Sequence, residues 1–66
     1  MKIVMNGEQQ EVDNGATLFQ LLERHRLAAK RLAIEINEEI VPRTEYAFYR
    51  LNEGDRVEVI QAIGGG

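Results

Sequence analysis

The chain contains no cysteine, no serine and no tryptophan, and among its 66 residues it has one histidine and one proline. Without cysteine there is no disulfide, no thiolate nucleophile and no sulfur-ligated zinc, and a lone His25 cannot build a zinc site with nitrogen ligands either. The missing serine removes Ser-His-Asp chemistry outright. No stretch approaches the ~20 apolar residues of a membrane helix, and the opening "MKIVMNGEQQ" turns polar too early for a signal peptide. The expected address is therefore the cytoplasm, with no membrane partner. A basic surplus is missing too: the formal net charge is -3, which argues against a nucleic-acid partner, because binding to phosphate backbones calls for a basic surface or stripe.

What is present is 44% hydrophobic and 29% charged residues, the composition of an ordered soluble domain and not of a disordered chain. At this length a single core barely offsets chain entropy. The fold must be regular, with nearly every apolar side chain used. Substrate pockets need hundreds of cubic ångströms and several convergent polar groups, so a carrier, a binding module or a small subunit is favoured over a free-standing enzyme.

The pattern along the chain gives the architecture. "KIVMNGEQQEV" is a hairpin about Asn6-Gly7, a pair suited to a turn in which both central residues take positive φ. A tight turn there sets Met5 opposite Glu8 and Ile3 opposite Gln10, collecting Met1, Ile3, Met5 and Val12 on a core face and leaving Val4 on the other. Thr17 and Gln20 form a capping-box pattern, which starts a helix at Leu18. Leu18, Leu21, Leu22 and His25 then share one stripe, with His25 expected as a partly buried edge residue. "RLAIEIN" alternates as a half-buried strand. Pro42 ends or confines a short strand in "NEEIVPR", a helical turn comes next near Thr44, and "RVEVIQAI" is the last strand. Strand, strand, helix, strand, short strand, strand is the β-grasp order: an α+β fold with a mixed sheet of four to five strands and one main helix packed on one face. The domain is expected over residues 1–63, with a flexible glycine tail at 64–66.

Candidate chemistry is sparse. Glu38-Glu39 and Glu53-Asp55 lie in turns, where solvated carboxylates are ordinary and catalysis is not expected. Tyr46, Phe48 and Tyr49 read as core or rim packing, since an RNA-stacking surface would interleave aromatics with cations. Arg24, Arg26, Lys30 and Arg31 gather at the end of the helix, where the macrodipole favours cations. An anion site is the lesser reading of that cluster.

Gly64-Gly65-Gly66 is no phosphate loop, which would need a helix after it and a lysine. It is a frayed end, a linker cut short, or an arm made to be inserted. In the third case it carries the terminal carboxylate about 10 Å from the sheet. Lacking Cβ atoms, it could thread a channel that excludes other residues. A carboxylate is unreactive until a partner converts it to an acyl adenylate, so ATP, Mg²⁺ and nucleophile would belong to the partner and this chain would have no cofactor of its own. Ile60 points outward if Val57 and Val59 point inward, and it falls beside Val4 if the first and last strands pair. With Ile63 these residues form a candidate docking patch.

The segments "VMNGE", "TLFQLLE", "AIEINEEIVPRTEY" and "LNEGDRVEVIQAI", ahead of the terminal Gly-Gly, resemble in order and spacing the ThiS-type sulfur carrier family of thiamine biosynthesis, a ubiquitin-like β-grasp family. The specific part is "IVPR" before an acidic-aromatic pair, then "GDRVEV" ending in "IGGG". The resemblance implies a carrier and not an enzyme. An E1-like enzyme would adenylate Gly66, sulfur from a persulfide donor would displace AMP to give a thiocarboxylate, and thiazole synthase would take the sulfur; Gly65 and Gly64 would thread the partners' sites. A molybdopterin-synthase small subunit also resembles the chain in tail and topology, although its members are usually longer. A ubiquitin-like modifier forming isopeptide bonds through Gly66 and a noncovalent binding module with an idle tail are the readings outside sulfur chemistry.

Overall fold

Five strands and one α-helix are seen in the computed structural model, which describes residues 1–61. They are β1 (Lys2–Met5), β2 (Glu8–Glu11), α1 (Leu18–Arg24), β3 (Leu32–Ile36), β4 (Glu39–Val41), a 3-10 turn at Arg43–Glu45, and β5 (Arg56–Gln61). The sheet order is β2-β1-β5-β3-β4, with β1 and β5 parallel and the other neighbours antiparallel. This is the mixed five-stranded β-grasp sheet, with the last strand at its centre.

The hairpin has the expected register, Ile3 opposite Gln10 and Met5 opposite Glu8. Its turn places Asn6 at φ 49° and Gly7 at φ 82°, the positive pair whose twist matches that of the strands. The turn between β3 and β4 repeats the device with Asn37 at φ 52° and Glu38 at φ 71°.

Helix α1 is seven residues long, too short to persist on propensity alone, and both its ends are tied down. Thr17 and Gln20 form the capping box, each side chain taking the other's backbone N–H. The next two helical N–H groups, those of Leu18 and Phe19, donate to the carbonyls of Tyr49 and Tyr46 at 2.8 and 3.0 Å. At the other end Leu27 N–H donates to Leu22 O and Arg26 N–H to Glu23 O, the paired closure of a Schellman motif with Arg26 in the left-handed position at φ 61°. Leu18, Leu21 and Leu22 are buried against Ile3, Met5, Ile34, Ile36 and Val57. Val59 joins them only at the half-buried margin.

Among the described residues the one buried charged side chain is that of Asp55, 6% exposed; its expected solvation as a turn carboxylate is thus corrected. Its Oδ2 accepts from Asn52 N–H at 2.8 Å and its Oδ1 from Asn37 Nδ2 at 2.9 Å. Its carbonyl accepts from Val4 N–H at 2.9 Å. Asn37 in turn accepts from Arg56 N–H through Oδ1 at 3.0 Å and donates its own N–H to Arg56 O at 2.9 Å. Asp55 therefore joins the start of β5 to β1 through its carbonyl and to the β3–β4 turn through its carboxylate.

Asp55→Ala should leave the Asn52 amide and the Asn37 side chain without acceptors and cost about 2–3 kcal/mol, lowering the thermal midpoint by roughly 15–20 °C for a domain of this size. Asp55→Asn, which keeps one acceptor oxygen, should lose less. Equal midpoints for wild type and Asp55→Ala in a calorimetric scan would remove the carboxylate from this role.

Candidate functional site

The candidate site lies at the Gln61 end of β5. On one side β5 pairs with β3 as far as Leu32 opposite Gln61. On the other, β1 pairs with it at Val4–Arg56 and Met5–Val57 and then turns away at Asn6. The ladder is prolonged there by a side chain: Asn6 N–H donates to Val57 O at 2.9 Å, and Asn6 Oδ1 accepts from Val59 N–H at 2.8 Å. Asparagine thus both makes the turn and satisfies the next amide of β5. The last strand is hydrogen-bonded on both edges as far as Val59. Ile63, Gly64, Gly65 and Gly66 lie outside the described residues.

Helix α1 covers one face of the sheet, and the other carries Val4, Ala33, Glu35, Ile40, Arg56, Glu58 and Ile60 by strand alternation. Ile60 is 53% exposed and Ile40 74%, while Val4 is half-buried. Val4 and Ile60 do share this face, but they are not neighbours. Val4 is paired with Arg56, and Ile60 lies four residues further on, about 13 Å along the strand, opposite Ala33. The register of a parallel pair joined by the whole intervening chain is set by tertiary contacts, so adjacency could not be read from alternation alone. Arg31, Leu32, Ala33, Ile60 and Gln61 line a shallow groove of about 260 Å³ at the root of the tail. Just below it Glu58 stands directly opposite Glu35, and Glu35 opposite Ile40. A like-charged cross-strand pair is unfavourable in isolation; here it has Ile40 beyond Glu35 and, on either side of Glu58 along β5, Arg56 and Ile60.

The remaining candidates fall elsewhere. His25 is exposed and not partly buried: it is the C-cap of α1, turned off the apolar stripe by the helix end, with its Nε2 2.8 Å from Gln10 Oε1. Tyr46 is buried and Tyr49 half-buried, but Phe48 departs from the packing expected of it, being 80% exposed. Burial pushes the Tyr46 phenol above its ordinary 10.0, opposed in part by Arg43; burial, then Asp55 and Glu39, push up that of Tyr49. Both phenols stay protonated at neutral pH and act as packing groups. Because their folded values are raised, the stability linked to them is complete below pH 10 and falls as pH rises towards the folded values. Glu38 makes an exposed ion pair with Arg56 at 3.6 Å. Among the described residues no three His, Cys, Asp or Glu side chains converge to hold a metal, and no helix is long and apolar enough to cross a membrane.

Comparison with known proteins places this geometry. The model of the ThiS family matches residues 3–66. The sulfur carrier protein ThiS of Escherichia coli is 33% identical over 66 residues, all of both chains. The thiazole synthase of Paramagnetospirillum magneticum is 39% identical over the whole of this chain, which spans only 20% of the synthase's length; for the thiazole synthase of Magnetococcus marinus the identity is 41% over the same share. The crystal structure of the thiamine biosynthesis protein ThiS of Geobacter metallireducens superposes with a TM-score of 0.83 at 29% identity, covering all of both chains.

Asn6→Gly should keep the turn but strip the acceptor from Val59 N–H, costing about 1 kcal/mol and speeding hydrogen exchange of the Val59 amide several-fold. Asn6→Asp, which keeps an acceptor oxygen, should protect that amide nearly as well as wild type. Unchanged exchange in the glycine variant would show that Asn6 does not extend the ladder.

Proposed function

The chain belongs to the ThiS family, and from that premise we propose that it is a sulfur carrier of thiamine biosynthesis whose reactive group is the carboxylate of Gly66. The observation that carries this reading is the match to a named sulfur carrier over the full length of both chains. The architecture agrees with it: a small sheet, firmly paired around its last strand, precedes three glycines in the sequence. The chain acts as a substrate of other enzymes and not as a catalyst.

In the proposed sequence of steps Gly66 and the preceding Gly64 and Gly65 enter an E1-like adenylating enzyme, which holds ATP and Mg²⁺. The carboxylate oxygen attacks the α-phosphorus, pyrophosphate leaves, and an acyl adenylate results. Sulfur from a persulfide donor displaces AMP, and a thiol then cleaves the S–S bond to leave a thiocarboxylate. Thiazole synthase takes this sulfur into the thiazole ring. That last partner is supported by the thiazole synthases whose sequences contain a segment matching this entire chain. The domain at 1–63 supplies the docking surface, through Val4, Ile60 and Ile63, and residues 64–66 supply the arm. The location proposed for this chemistry is the cytoplasm.

Incubation with the adenylating enzyme, Mg-ATP and a persulfide donor should raise the intact mass by the exchange of one terminal oxygen for sulfur; an unchanged mass beside an active control carrier would end the reading. Deleting Gly66 should abolish the exchange without changing the thermal midpoint. Heavier conjugates on a denaturing gel would point instead to a protein modifier. Ile60→Asp should weaken the complex with the adenylating enzyme by roughly tenfold or more, as expected when a charge replaces an apolar contact at an interface, and equal binding would take Ile60 out of the docking patch.

A further inference from the structure

The charges of this acidic chain are segregated along the strand direction. Arg26, Lys30 and Arg31 hold three of its eight basic side chains within residues 26–31, just after α1, and no acidic residue falls between Glu23 and Glu35, whereas Arg24, the last residue of α1, turns towards β2 with its Nη1 2.7 Å from Glu11 O. Arg26, Lys30 and Arg31 are all exposed. The antiparallel register of β3 and β5 sets Leu32 opposite Gln61, so this loop stands at the end of the sheet from which the tail departs, and Arg31 borders the groove at its root. Arg43 reaches the same end, its Nη2 lying 3.4 Å from Ala28 O. The opposite end mixes Glu38, Glu53 and Asp13 with Lys2, Arg50 and Arg56, the last paired with Glu38. A molecule of net negative charge therefore leads with its positive end where the tail emerges.

Two further observations separate this loop from a solvated surface. Among the described residues the one ion pair is Arg56–Glu38, so the cluster is not neutralised by carboxylates of its own domain. Arg26 also occupies the left-handed position closing α1, at φ 61°, where glycine is the residue without strain. A cation is thus held where local backbone preference disfavours any side chain, and residues that break a local rule are expected to concentrate at functional sites.

We propose that the basic loop at residues 26–31 is an electrostatic docking element that steers the tail-bearing end of the chain onto an acidic protein surface around the mouth of the adenylating enzyme's channel, a proposal that rests on the carrier reading above. The loop fits an acidic protein surface better than the nucleotide itself, because five residues separate Gln61 from the terminus, a reach of about 17 Å when extended, and the ATP lies at the far end of that reach. The basic loop at the tail end, set against the mixed charges of the opposite end, orients the encounter so that the tail arrives first. The carboxylates at Glu35 and Glu58, on the adjoining sheet face, oppose docking in any register that sets them against the same acidic surface. Such steering acts on the association rate and fades with added salt.

The test is stopped-flow association of the full chain with the purified adenylating enzyme over a range of ionic strengths, with the intact-mass assay run on the same samples. Wild type should associate faster at low salt. Arg31→Glu should slow association by roughly tenfold at low salt and flatten the salt dependence, and a triple reversal with Arg26→Glu and Lys30→Glu should slow it further. Arg50→Glu carries the same change of net charge at the opposite end, where Arg50 bonds Gly15 O, and should stay within about twofold of wild type. Thermal midpoints establish that each variant is folded. If wild type acquires sulfur but its association is insensitive to salt, or if Arg31→Glu and Arg50→Glu slow it equally, the steering role is overturned while the carrier reading stands. If wild type neither binds nor acquires sulfur, both fall together.

Discussion

The carboxylate of Asp55 is the point on which the arrangement turns. A strand inserted between two others must find its register on both sides at once, and here one buried side chain and its own carbonyl make contact with both neighbours. Removing a charge from water is unfavourable unless hydrogen bonds replace the lost solvation. That penalty discriminates between registers: a shift of β5 by one residue would bury the carboxylate without partners and would also exchange the core-facing Val57 for its exposed neighbours. The Asn37 amide is part of the same device, because its position in a left-handed turn lets one side chain serve Asp55 and the Arg56 amide together.

Around that node a very small core is made sufficient by economy at the helix ends. Seven residues cannot form a stable helix alone, and α1 persists because its first free N–H groups are taken by carbonyls of the 46–49 segment and its last carbonyls by its own closing turn. The crossing segment thereby fixes the helix while the helix fixes the crossing. Leu51 N–H donates to Ala16 O, and Thr17 bridges to Arg50, so the long connection between β4 and β5 is stitched to the start of α1 along its length. The same stitching delivers β5 to the middle of the sheet, although most of the chain separates it from β1.

The parts of this structure legible in the sequence are those whose cause is local. Asn6-Gly7 specifies a turn within two residues, Thr17 and Gln20 specify a cap within four, and the alternation of Leu32, Ile34 and Ile36 specifies a face. Membership of the ThiS family was also legible, in segments spread over the whole chain, and the family match spans residues 3–66. The features that could not be read depend on distant partners. Asp55 looks like any turn carboxylate until Asn37 is placed beside it. Ile60 looks like a neighbour of Val4 until the β1–β5 register shows four residues between their levels. His25 continues a helical stripe on paper but falls at the residue where the helix stops, and Arg26 gives no sign in the sequence that it takes a glycine's conformation. The basic residues after α1 were visible as a cluster, but their place beside the tail emerges only from the pairing of Leu32 with Gln61.

The central position of β5 also has a mechanical meaning. Tension applied beyond Gln61 runs along a strand bonded to β3 on one edge and to β1 and Asn6 on the other. Those bonds lie across the direction of pull and are loaded together in shear, and a central strand carries them on both edges where an edge strand would carry them on one. Resistance to such a pull is governed by the unfolding barrier and not by equilibrium stability. A pull beyond Gln61 would therefore have to break two sets of bonds before the sheet behind it came apart.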